Sequence, residues 1–270
     1  MREPGKPPAW TGLIITLSTA AMKWMSSIPR FAFAVFLGGS SIASATPGVD
    51  VYVAEAPPLT MADHDGQHGI VGDIALKAMA LAGYSPKLLS PPWPRAQREV
   101  SAGRDLLIAP LTRIQSREDR FTWIAPVLTM DRSFFSLTQR VDSFEDAKRA
   151  FKLIAVGLGS AQETRLRDEG FLPSQIYPLK IGENPAQMLL KGRVDAWFNG
   201  VPETRYIWKQ VSDRPLVMSP VMMTADLYLA CSKNCDPVMV EKLRTALKTL
   251  HANGSSERIE AGYMKGLPVW

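Results

Sequence analysis

The chain has 270 residues, with 31 Lys and Arg against 26 Asp and Glu. That length suffices for one large domain or two smaller lobes. Residues 1–45 hold Arg2, Lys6, Lys23 and Arg30 against Glu3. The remainder therefore carries 27 basic against 25 acidic residues and no basic run that would argue for nucleic-acid binding.

The first feature along the chain is a short apolar run, Phe31 to Leu37, preceded by Lys23 and Arg30. Small residues follow and end in Ala43-Ser44-Ala45. This is the order of a secretory signal, with cleavage predicted after Ala45 and with Met22 or Met25 as the better start. The run is far shorter than the roughly 20 residues that span a bilayer. No Cys lies near the cleavage point, so a lipid anchor is not supported. Export to the periplasm is the expectation. The only cysteines are Cys231 and Cys235, and in an oxidising compartment such a pair favours a disulfide. A metal reading of the pair would need further ligands nearby, and none is evident.

Val49 to Ala54 alternates and is rich in valine, which predicts a strand. Apolar spacing predicts a helix from Gly72 to Ala82, stopped by Gly83. A Pro91-Pro92-Trp93-Pro94 loop, a helix from about Arg95 to Ala102 and a strand from Leu106 to Ala109 come next. The second half repeats the rhythm. A strand is predicted at Leu153 to Gly157, a helix from Ser160 to about Gly170, another from Asn184 to about Lys191, and a strand at Val194 to Phe198. This alternation is the signature of an α/β layered fold.

One unit occurs in both halves: Gly103-Arg104-Asp105 before the first-half strand and Gly192-Arg193-Val194-Asp195 before the second. In each, glycine is predicted to close a helix in the left-handed conformation. Loops are then predicted at Pro110 to Arg113 and at Asn199 to Pro202. In open α/β sheets, ligands bind beyond the carboxyl ends of strands.

The segments that carry a resemblance are five. They are Gly69-Ile70-Val71-Gly72-Asp73; Pro92-Trp93-Pro94-Arg95; Leu111-Thr112-Arg113 running through Ser116-Arg117 to Phe121-Thr122-Trp123; Gly157-Leu158-Gly159-Ser160; and Gly192-Arg193-Val194-Asp195-Ala196. In order and spacing they resemble the family 3 extracellular solute-binding proteins, the periplasmic receptors of amino-acid ABC importers. The resemblance implies a type II, two-lobed α/β fold. Each lobe would be a mixed sheet flanked by helices, and two crossing strands near Phe134–Leu137 and Met223–Leu229 would join them. Lobe 1 would be 46–135, lobe 2 136–226, and 227–270 would return to lobe 1. It further implies a monomer that binds a small molecule and hands it to an importer's membrane permease. No catalytic residue and no cofactor are expected.

Residue by residue, Arg117 falls where the family grips the ligand's carboxylate, and a planar guanidinium suits that task. The preceding Ile114-Gln115-Ser116 departs from the family's usual sequence. Thr112 and Ser160 are candidates for the same carboxylate, Ser160 at a helix start whose free N–H groups favour anions. Either could equally be a turn or capping residue. Trp93 is a candidate to cover the ligand, with Arg95 beside it; Trp197 and Phe198 read as core. The family's ammonium-binding aspartate falls on Gly200, with Asn199 the nearest polar residue. Glu55 could supply the negative charge instead. Asp195 reads as structural. Asp63-His64-Asp65 with His68 is a weak metal candidate, because Asp65-Gly66 argues for a turn. Two other readings share this fold: a dehydratase-like enzyme using Glu55 or Glu203, and a subunit that presents its solute to a sensor kinase.

Overall fold

A computed structural model describes residues 46–62 and 65–268, which belong to one compact unit, Ala45–Trp270. The predicted signal segment, its cleavage point, and Asp63 and His64 lie outside the described residues. Among those described, no helix is long and apolar enough to cross a membrane.

The first half runs β1 (Gly48–Val53), α1 (Ile70–Ala82), β2 (Ser85–Leu89), α2 (Trp93–Ala102) and β3 (Leu107–Thr112). A short 3-10 turn at Gln115–Arg120 leads into β4 (Phe121–Ser136). The second half has α3 (Phe144–Ala150), β5 (Ile154–Gly157), α4 (Ala161–Asp168), β6 (Ile176–Leu179), α5 (Pro185–Leu190), β7 (Ala196–Gly200) and α6 (Val201–Val211). The chain ends with β8 (Val217–Met218), β9 (Met223–Ser232), α7 (Pro237–Ala252) and α8 (Ser255–Met264).

The strands lie in the order β2-β1-β3-β9-β4-β7-β5-β6, with β8 beside β4. β1 pairs in parallel with β2 and β3, and β5 in parallel with β6 and β7. Parallel neighbours need a crossover, and the helices between them supply it. In the centre β4 and β9 run antiparallel. β4 pairs with β9 from Phe121 to Arg132 and then with β7 from Arg132 to Ser136. Two long strands thus carry the chain between two lobes.

Each lobe buries apolar side chains on both sheet faces. In the first, Ile70, Ile74 and Met79 of α1 meet Leu243, Leu247 and Leu250 of α7 over Ile124 and Leu229. Beneath, α2 buries Trp93, Ala96 and Val100 against Tyr52, Ile108 and Leu111. In the second, Phe134 stacks on Phe198 at 4.6 Å, with Phe151 and Phe171 around them. Phe135, Leu189, Trp197 and Trp208 fill the other face. Phe134 and Phe135, at the end of β4, therefore pack in the second lobe.

The repeated glycine unit needs a correction. Gly192 is left-handed at φ 63°, but Gly103 is extended at φ −85°, and the left-handed residue there is Asp105 at φ 56°. Gly103 answers to space instead: a Cβ would lie 2.5 Å from Leu106 Cδ1. Neither predicted loop exists as such. β3 continues through Thr112, and α6 starts directly after Gly200, with Pro202 in its first turn, where a missing N–H costs nothing. Asp195 is structural: its carboxylate accepts the N–H groups of Lys152 and Leu153 at 2.7 and 2.9 Å. Cys231 and Cys235 are bridged.

Candidate functional site

The carboxyl ends of β1 and β3 and of β5 and β7 face one another across a cleft. It holds two contiguous cavities of about 50 and 220 Å³, which share Ala56, Ser160, Gln162, Ile181 and Glu203.

The smaller cavity is built around two arginines. Arg117 sits in the 3-10 turn and is 4% exposed. Its Nη1 donates to Thr112 O at 3.0 Å, and its Nη2 reaches the other lobe, donating to Gly159 O at 2.8 Å. Arg132 is fully buried in β4, where its Nη2 donates to Thr112 Oγ1 at 2.9 Å and its Nη1 to Met130 O at 2.9 Å. Its Nε has no hydrogen-bond partner among the described residues. Burial lowers both guanidinium pKa values to about 10, helped at Arg117 by Arg120 and Arg132, while Glu203 and Asp131 partly offset it at Arg132. Both arginines stay charged at neutral pH. Among the described residues, neither has a carboxylate within ion-pair distance.

Gln97 makes a second bridge. On α2 the buried positions are Trp93, Ala96, Gln97 and Val100, a helical stripe with one polar member. The Gln97 Nε2 donates to Gly159 O at 3.0 Å, so this carbonyl accepts from two residues of the opposite lobe. The approach depends on glycine. Gly159 is left-handed at φ 70°, and a Cβ there would lie 3.0 Å from Pro94 Cγ.

The other candidates fall as follows. Thr112 lines the smaller cavity, with its hydroxyl and carbonyl both engaged by the arginines. Ser160 caps α4, accepting from Glu163 N–H at 3.1 Å, and lines both cavities. Trp93 lines the smaller cavity, although it begins α2 rather than standing in a loop. Asn199 and Glu55 line the larger one. The Glu55 carboxylate accepts Ala62 N–H at 2.9 Å. Arg95 lies outside both cavities, exposed and paired with Glu99 at 2.6 Å, beside a separate opening at the cleft's edge. His68 pairs with Asp73, and no group of three metal-ligating residues converges among the described residues.

Glu203, Arg132, Gln97 and Gln162 were not among the sequence candidates for ligand contact. The legible signal for Arg132 and Gln97 is a polar side chain on an apolar face. Glu203 lies in the first turn of α6 and turns back over Gly200, where a Cβ would sit 2.5 Å from its Oε2. Glu203 is part-buried where it reaches the cavities, and desolvation there raises its pKa to about 7, Arg132 opposing.

No protein-family profile matches the chain, and no curated protein does. Solved structures do. A mutant of ArgBP from T. maritima is 17% identical, covers 80% of this chain and 94% of its own, with a TM-score of 0.69. The substrate binding protein of an amino acid ABC transporter is 16% identical over 81% of this chain and 99% of its own, at 0.69. An ancestral amino acid-binding protein, described as a precursor of cyclohexadienyl dehydratase, is 20% identical over 81% and 95%, at 0.68. The chain thus has the two-lobed α/β fold of the type II periplasmic binding proteins.

Proposed function

We propose that this protein is an exported family 3 solute-binding protein. It closes on a small carboxylate-bearing solute, an amino acid or a relative of one, and delivers it to the permease of an ABC importer. The observation that carries the reading is the pair Arg117 and Arg132, buried in the cleft with no acidic partner among the described residues. Two guanidinium charges out of water with no carboxylate in ion-pair contact are costly, even with Glu203 and Asp131 acting on Arg132 from a distance, and an anionic ligand would balance them. Thr112, Ser160, Trp93 and Asn199 complete the ligand's surroundings in this reading. The solute docks on the first lobe near Arg117 and Arg132, and the second lobe then closes and brings Ser160 and the start of α4. Closure is favoured because ligand contacts from the second lobe exist only in the closed state.

Lobe segments of 46–135, 136–226 and 227–270, with Phe134 and Phe135 at the first crossing already packing in the second lobe, belong to the same proposal, as do cleavage after Ala45, a periplasmic location and a monomeric state. The fold neighbours support it, since one is described as an importer's binding protein. A thermal-shift screen against amino acids, other small carboxylates and amines tests it, because a specific ligand raises the melting temperature by mass action. No shift with any carboxylate would sink the reading. Glu203, an acid of raised pKa in the cleft, favours the dehydratase-like alternative, which product formation from a bound ligand would establish.

A further inference from the structure

We infer that Ile181, in the turn between β6 and α5, is the residue with which the second lobe shuts the arginine pocket off from the outer opening at the cleft's edge. This rests on the reading just given only for what the pocket receives, a small carboxylate.

Ile181 reaches across the cleft. It sits in a tight turn in which Glu183 N–H donates to Lys180 O at 3.0 Å. The next residue, Gly182, is left-handed at φ 96°, and the third position of such a turn favours glycine for that reason. A Cβ on Gly182 would lie 3.4 Å from Glu55 O, so the turn rests on the first lobe just after β1. From there the part-buried Ile181 side chain packs against a first-lobe cluster that includes Ala54, Ala56 and Trp93. It adds an apolar contact between the lobes to the two hydrogen bonds that end on Gly159 O.

The place of this contact decides what it separates. Ile181 lines both ligand cavities and also the outer opening of about 480 Å³. Ala54 and Trp93 line the smaller cavity and that opening, so the contact Ile181 makes with them is the wall between the two. On the inner side Arg117 is 4% exposed and Arg132 is fully buried, whereas Arg95 and Arg98 on the outer side are exposed. Water admitted to the inner side would weaken the pull of the guanidinium groups on a carboxylate, and keeping it out strengthens that pull. An aliphatic side chain suits the task. It gains by leaving water and brings no acceptor that would compete for the arginines. The wall exists only where the lobes meet, so Ile181 acts on a ligand through closure.

The test labels the arginines of the ligand-free protein with phenylglyoxal and reads each position by peptide mass spectrometry, with exposed Arg98 as the reference. Arg117 should react slowly in native protein. In Ile181→Ala it should react about fivefold faster or more, because losing most of that apolar contact shifts closure by such a factor. Ile181→Val should give a smaller rise, so the comparison stands even where Ile181→Ala fails to fold. An Arg117 rate no faster than in native protein would overturn the inference. An equal rise in Ile207→Ala would overturn it too, since Ile207 lines the larger cavity but neither of the others and would report general loosening. Titration calorimetry with L-glutamine, L-arginine and hexanoate separates this from the binding reading. Probes that bind native protein should each bind Ile181→Ala more weakly by a common factor. A loss confined to one probe would make Ile181 a direct ligand contact and overturn its role as a wall. If none of the three binds native protein, the carboxylate reading loses its support, and the labelling still decides Ile181.

Discussion

Arg117 and Gly159 stand on opposite sides of the cleft and are joined by a 2.8 Å hydrogen bond from the guanidinium Nη2 to the carbonyl oxygen. The residue expected to hold the ligand thus also holds the lobes together. A guanidinium has five N–H donors, and the two bonds described leave others for a ligand.

On the proposed reading, Arg132 matters to binding as much as Arg117 does. Arg117→Ala and Arg132→Ala should each weaken carboxylate binding by roughly 30-fold or more, the usual loss for one partner of a desolvated charge pair. Titration calorimetry reads this directly. Unchanged affinity in either variant removes that arginine from the site.

Gly159→Val should hold the cleft open. The added side chain meets Pro94 and Gln97 from the other lobe, and its φ of 70° is strained for any residue with a Cβ. The backbone strain alone costs about 1–2 kcal/mol. Small-angle scattering should show a larger radius of gyration for the variant, with or without ligand. An identical profile would mean that the contact between Gly159 and the first lobe does not govern closure.

The pH dependence of stability should carry a mark of Glu203. Its carboxyl pKa is raised by burial from 4.5 to about 7 in the folded protein, so between those values the folded state binds the extra proton. Its contribution is therefore greatest below about pH 4.5 and is lost as pH rises through about 7. Glu203→Gln stays neutral throughout. Its melting temperature relative to native protein should rise between pH 5 and pH 8. A difference that does not change with pH would show that Glu203 is ionised at little cost.

The bridge between Cys231 and Cys235 closes a loop of only a few residues. By the chain-entropy argument such a loop contributes about 2 kcal/mol. Urea denaturation of the native protein and of the variant with both residues changed to Ser should differ by about that amount. Equal midpoints would mean that the loop is as well held without the bridge.

The alternation of β1, α1, α2 and β3 and of β5, α4, α5 and β7 could be read in the sequence from apolar spacing, whereas β2, α3, β6, α6 and β8 were not, and the crossing strands came from the resemblance. Ile70, Ile74, Ala78 and Met79 lie on one helical face, and Val51 and Val53 on one strand face. The site was less legible. Thr112, Ser160, Trp93, Asn199 and Glu55 do line the cavities, but Arg95 instead pairs with Glu99 outside them. Arg132 was missed because it lies in an otherwise apolar strand, and which face it buries depends on β9 and β7, which are distant in sequence. That Glu203 lines the cavities was not legible because the expected loop after Gly200 does not exist. Only a helix starting at Val201 brings the third residue of that helix back over the glycine. Gly103 misled for a related reason: a glycine before a strand can answer to crowding as well as to a turn.

The first lobe is assembled from both ends of the chain, since α7 closes over α1, while the second is drawn from a continuous middle stretch. Everything the second lobe needs therefore lies in one stretch, whereas the first cannot complete its core until α7 joins α1. A chain stalled after β9 would present α1 with its apolar face uncovered. Transiently exposed apolar surface of that kind favours aggregation, so the final segment is what protects the first lobe.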